Sequence, residues 1–218
     1  SLNSRIYVDK SSLIAYTNAV IDTAQRFVCV SRPRRFGKSV TAQMLAAYYG
    51  READSGGQFD NLRIAKDNSY QKHLNQYNVI FLNMQYFLSQ TQSVLAFKDR
   101  MEKELLWELQ EAYPGLHYFD SASLTTVLQT IETKTGSGFI FIIDEWDCIF
   151  REYKNDADSQ KRYLDFMRSL LKDQPYVSLA YMTGILPIKK YGTHSALNMF
   201  DEFSMTNPGP LASFVGFT

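Results

Sequence analysis

The chain has 218 residues, 45% of them hydrophobic and 21% charged, enough apolar material for one sizeable folded domain or two small ones. Its 23 Lys and Arg balance its 23 Asp and Glu. A protein that coats nucleic acid is usually basic, so such binding would have to come from a local patch. No apolar stretch approaches the roughly 20 residues that span a bilayer and no signal peptide opens the chain, so the expectation is a cytoplasmic protein without a membrane anchor.

In chain order, Ile6-Tyr7-Val8-Asp9-Lys10 is short and extended. Ser11-Ser12 can cap a helix over residues 11–25, with Leu13, Thr17, Val20, Ile21 and Ala24 on one face. Phe27-Val28-Cys29-Val30 suits a buried strand. After a loop, residues 40–49 carry helix formers and stop at Gly50. Residues 51–77 are polar, broken by Gly56-Gly57, and predict a loop with one helical turn. Residues 79–84 predict a second strand. A long amphipathic helix follows over 94–113, with Phe97, Met101, Leu105 and Leu109 inward and the pairs Lys98–Glu102 and Arg100–Glu104 outward. Asp120 or Ser121 caps the next helix, with Leu124, Val127, Leu128 and Ile131 inward, and Gly136-Ser137-Gly138 closes it. Residues 139–143 form an apolar strand, 159–172 a helix, 177–182 a fourth strand and 200–205 a short fifth one. Strands alternating with helices predict a parallel sheet covered on both faces.

Two stretches carry chemistry. The first is Ser31-Arg32-Pro33-Arg34-Arg35-Phe36-Gly37-Lys38-Ser39, between a strand and a helix. That is the layout of a phosphate-binding P-loop, in which backbone N–H groups face the phosphates, the Lys reaches the β/γ oxygens and the hydroxyl ligates Mg²⁺. Gly-Lys-Ser alone would occur by chance in roughly one chain in ten of this length. The full pattern also wants a glycine where this chain has Arg32. The second stretch, Phe139-Ile140-Phe141-Ile142-Ile143 running into Asp144-Glu145, has the form of a Walker B strand. Asp144 would hold the Mg²⁺ and Glu145 would polarise the attacking water. Otherwise the two acids are merely solvated at a strand end.

Asp147 either supports this site or caps the following segment. Thr183 either offers a polar contact to the γ-phosphate, from a strand inserted between the P-loop and Walker B strands, or simply ends its strand before Gly184. Arg34 and Arg35 lie against phosphates, reach a partner, or are plain surface charges. His73, His117 and His194 share no ligand spacing, and Cys29 and Cys148 predict reduced, buried thiols.

These residues, with Tyr7-Val8-Asp9-Lys10, Ile142-Ile143-Asp144-Glu145-Trp146-Asp147, Thr183-Gly184 and Ser195-Ala196-Leu197-Asn198, resemble the predicted AAA-ATPase-like family of bacterial proteins over nearly the whole chain. The resemblance accounts for Arg32, which that family carries in place of the glycine. Trp146 stands where its members more usually have Tyr. It implies a three-layer α/β P-loop NTPase fold, a mainly parallel five-stranded sheet of the additional-strand type with helices on both faces. It also implies one ATPase domain over 1–218, cut from a longer chain that continues into a nuclease-like C-terminal region.

The expected ligands are ATP and Mg²⁺. Arg34, Arg35, Phe36, Gly37, Lys38, Ser39 and Val40 would bind nucleotide, Ser39 and Asp144 metal, and Lys38, Glu145 and Thr183 would act in hydrolysis. A nucleotide-gated binding module with little turnover is the alternative. Nucleic-acid binding through Arg32, Arg34, Arg35, Lys189 and Lys190, or a protein partner, is a further one.

Overall fold

A computed structural model describes residues 13–31, 38–51, 68–191 and 196–204, the side chains of 38–40, 190, 191 and 204 excepted. The elements run α1 Leu13–Val20, β1 Phe27–Ser31, α2 Lys38–Tyr49, α3 Tyr70–His73, β2 Asn78–Asn83, α4 Met84–Ser89 and α5 Val94–Ala112. Then follow α6 Leu124–Thr135, β3 Phe139–Asp144, α7 Cys148–Glu152, α8 Ala157–Leu171, β4 Val177–Gly184, a 3-10 turn Ile188–Tyr191 and β5 Asp201–Ser204.

The five strands form one sheet in the order β2-β3-β4-β1-β5, and all of its pairings are parallel. The α/β architecture expected from the sequence is therefore the one found. β4 lies between β1 and β3, as the additional-strand layout requires. Every residue of β1, β3 and β4 is buried, which is why these strands read as continuous apolar runs rather than as alternating ones.

Strand pleating divides those side chains between two cores. Val28, Val30, Ile140, Ile142, Leu179 and Tyr181 pack with α1, α2 and Tyr70 on one face. Phe27, Cys29, Phe141, Ile143, Ala180 and Met182 pack with α4 to α8 on the other. Helices on both faces make three layers.

The α5 stripe Phe97, Met101, Leu105 and Leu109 is buried as expected. Each such side chain contributes about 1.5–3 kcal/mol on burial. The solvent-face pairs Lys98–Glu102 at 3.6 Å and Arg100–Glu104 at 2.9 Å contribute only about 0.2–0.5 kcal/mol each. Packing, not charge, docks this helix.

Two local expectations need correction. α1 ends at Val20 rather than near residue 25, because Asp22 turns to φ 59° and its N–H bonds Ser178 O at 2.9 Å; Ala24 is exposed. α6 is capped by Ser123, whose Oγ accepts from Thr126 N at 3.3 Å, and not by Asp120 or Ser121. Asp120 instead accepts from Ala122 N at 3.0 Å and closes its own turn. Within 51–77 the helical turn is α3, while residues 52–67 lie outside the described residues, as does the segment Ile6 to Lys10.

Candidate functional site

In open parallel sheets, ligands bind beyond the carboxyl ends of the strands. Register brings two of the sequence-derived candidates, Asp144 and Thr183, together at that edge. Asp144 at the end of β3 is opposite Thr183 of β4, and Thr183 is opposite Val30 of β1, one residue before Ser31. From Ser31 the chain enters the Arg32-to-Gly37 stretch and returns as α2, which opens at Lys38. Arg34, Arg35, Phe36 and Gly37 lie outside the described residues. For Lys38, Ser39 and Val40 only the backbone at the start of α2 is described.

Asp144 is buried, with 2% of its surface exposed, and Thr183 is fully buried. Among the described residues Thr183 Oγ1 has no hydrogen-bond partner. An unsatisfied buried hydroxyl costs about 1–3 kcal/mol, so such a group calls for a reason.

The next three residues go in three directions. Glu145 sits at φ 58°, in the left-handed region that non-glycine residues adopt at a cost. Trp146 turns into the core, fully buried, with its ring 5.7 Å from that of Phe150 and its carbonyl accepting from Tyr163 OH at 2.5 Å. Its N–H donates to Thr183 O at 3.2 Å and ties the end of β3 to the end of β4.

Asp147 is fully buried and turns back toward β4. Its Oδ2 accepts from Ile185 N at 2.9 Å and Leu186 N at 2.8 Å. Although it holds the N-cap position of α7, it makes no side-chain cap bond. Of the two roles open for it in the sequence, its side chain does not take up the cap; it holds the segment after β4 instead.

A residue that sequence reasoning missed is Arg151 of α7. Its Nη2 pairs with Glu145 Oε2, and its Nε lies 3.6 Å from Asp147 Oδ2. The available signal was the spacing of Asp147 and Arg151, one helical turn apart immediately after the acidic pair.

His73 is buried, its Nδ1 2.6 Å from Tyr77 OH; His117 is exposed and His194 lies outside the described residues. Cys29 and Cys148 are free and buried. Burial pushes both thiols up, Cys148 to about 12, with Asp147 adding to the shift in each. Of the basic set, Lys189 is exposed on the 3-10 turn, and Arg32, Arg34 and Arg35 lie outside the described residues.

The described part of the site thus holds Asp144 opposite Thr183, and Glu145 and Asp147 facing Arg151. Arg151 and the Ile185 and Leu186 N–H groups take up the Glu145 and Asp147 carboxylates, so among these three acids Asp144 is the one set apart from that network. Among the described residues no group of three or more His, Cys, Asp or Glu could hold a metal.

Fold and strand order define the class: a three-layer α/β protein of the P-loop NTPase kind. The family model described as AAA-ATPase-like, predicted AAA-ATPase, matches residues 2–193. The chain belongs to that family, whose membership supports nucleotide binding in general. Neither a curated protein nor a solved structure gave a significant match. Among the described residues no helix is long and apolar enough to cross a membrane.

Proposed function

We propose that the chain binds ATP with Mg²⁺ and hydrolyses the β–γ phosphate bond, coupled to a partner or to an attached effector domain. The observation that carries this reading is the row Asp144–Thr183–Val30 at the carboxyl edge, next to the strand that leads into Gly37-Lys38-Ser39. Arg34, Arg35, Phe36, Gly37, Lys38 and Val40 would bind the nucleotide, Lys38 through its phosphates. Ser39 and Asp144 would hold the metal, which when bound neutralises charge developing between the β and γ phosphates.

Glu145 would orient the attacking water. Its left-handed backbone turns it out of the line of β3, and its side chain is 23% exposed, open enough to meet solvent. Thr183, buried and with its Oγ1 unbonded among the described residues, would hydrogen-bond the nucleotide's terminal phosphate.

Steady-state ATPase measurements on the wild type and Glu145→Gln test the reading. Loss of a general base should lower kcat by about 10²–10⁴-fold while ATP binding survives. Equal rates in the two proteins would remove Glu145 from its role. Tight ATP binding with no hydrolysis in the wild type, alone or with DNA, would favour the binding-module alternative.

A further inference from the structure

We propose that Arg151 is the positioning residue for Glu145, gripping one carboxylate oxygen and leaving the other available for water. This rests on the reading of Glu145 given above. A non-glycine residue in the left-handed region costs about 1–2 kcal/mol, so surrounding contacts must hold Glu145 there. Two of them hold the backbone: Trp146 N–H donates to Thr183 O at 3.2 Å, and Cys148 N–H donates to Glu145 O at 3.2 Å. The carboxylate itself is held by Arg151 through Oε2, and Oε1 has no partner among the described residues.

Arg151 in turn faces Asp147 in an ion pair longer than a hydrogen bond. Its side chain is 18% exposed, and Nε lies 3.6 Å from the Oδ2 of Asp147, the oxygen that accepts from Ile185 and Leu186 N–H. A chain of contacts therefore runs from the segment after β4, through Asp147 and Arg151, to Glu145. A planar guanidinium, with five donors in a fixed fork, can face two carboxylates at once. A lysine ammonium offers one compact charge and would serve the same place less well.

An exposed ion pair typically contributes little. This one is largely buried and joins the residue whose direction matters to the segment that walls the site. The competing account is that Arg151 only stabilises the fold, and kinetics separate the two.

The test measures kcat, ATP affinity by titration calorimetry, and Tm for Arg151→Ala, Arg151→Lys, Glu145→Gln and the Arg151→Ala/Glu145→Gln double variant. Misplacing the catalytic group should lower kcat of Arg151→Ala by about 10–100-fold with ATP affinity retained, and Arg151→Lys should recover part of the loss. Because Arg151 acts through Glu145, the double variant should be no slower than Glu145→Gln alone. Where Arg151→Ala does not fold, Arg151→Lys carries the kinetic comparison, and its kcat should fall between wild type and Glu145→Gln.

A folded Arg151 variant with wild-type or higher kcat overturns the proposal, as does a double variant whose losses multiply. A wild type no faster than Glu145→Gln overturns the hydrolase reading instead. That failure is recognised separately by a stability cycle on Arg151→Ala and Glu145→Ala: Tm losses that do not add show the pair intact, and losses that add overturn the pairing.

Discussion

Replacing Gly184 with Ala tests the joint between the ends of β3 and β4. Gly184 closes β4, and a Cβ there would lie 2.7 Å from Asp147 Oδ1, Trp146 Cδ1 and Trp146 Nε1. Comfortable carbon contacts begin near 3.5 Å, so about 1 Å must be found by moving a neighbour. Neither neighbour is a loose end. Trp146 is fully buried with its carbonyl bonded to Tyr163 OH at 2.5 Å, and Asp147 is held by two backbone N–H groups.

Overpacking of this kind costs about 1–3 kcal/mol. In a chain of this size each kcal/mol lowers Tm by about 2–4 °C, so the expected loss is roughly 2–12 °C. Two other glycines separate the causes. Gly136 has open space around it but φ 71°, so Gly136→Ala should cost only the backbone term of about 1–2 kcal/mol. Gly115 meets nothing within 4 Å and has no positive φ, so Gly115→Ala should be near neutral.

Thermal unfolding followed by near-UV circular dichroism reads all three variants. Only Gly184→Ala should also alter the aromatic spectrum, since Trp146 is the ring that must move, while Trp107 is 67% exposed. A Gly184→Ala protein with the wild-type spectrum and a Tm within about 1 °C of wild type would refute the steric argument.

Three further predictions follow from buried polar groups. Tyr163→Phe leaves the Trp146 carbonyl without its donor and should cost about 1–3 kcal/mol, read as a lowered urea midpoint at unchanged slope; an unchanged midpoint would count against that bond. Burial holds the His73 pKa below its ordinary value, with Lys72 adding to the shift and Asp22 opposing it. The unfolded chain then takes up the proton first as pH falls, so this contribution is present above the ordinary histidine pKa, near 6.5, and is lost as pH drops through the folded value. The Tm of His73→Gln should accordingly fall less between neutral pH and pH near 5 than that of the wild type, and parallel curves would contradict this. Finally, the thiols of Cys29 and Cys148, raised by burial, should label with a disulfide reagent at pH near 8 only after unfolding; rapid labelling of the native protein would show them accessible.

The elements were largely legible because their signals are local. The α5 stripe repeats at helical spacing, and α8 spans Ala157–Leu171 where the pattern predicts 159–172. Element ends were less so. Asp120, Ser121 and Ser123 are all good cap residues, and the choice of Ser123 depended on Asp120 closing its own turn. The end of α1 depended on a bond from Asp22 N–H to Ser178 O, a residue far along the chain.

The candidate site divides the same way. Strand, Gly-Lys-Ser, helix and an apolar run ending in Asp144-Glu145 are contiguous patterns, so sequence alone determined the class and named the candidates. Which of them stand together was decided by strand order. Thr183 meets Asp144 because β4 inserts between β1 and β3, a pairing of residues 39 positions apart in the chain. Tertiary structure likewise placed Asp147, whose Oδ2 is taken by Ile185 and Leu186 N–H, and revealed Arg151 on Glu145. Periodicity records which face of an element is buried. It does not record which distant donor a buried carboxylate will find, because that depends on how separate elements are brought together through space.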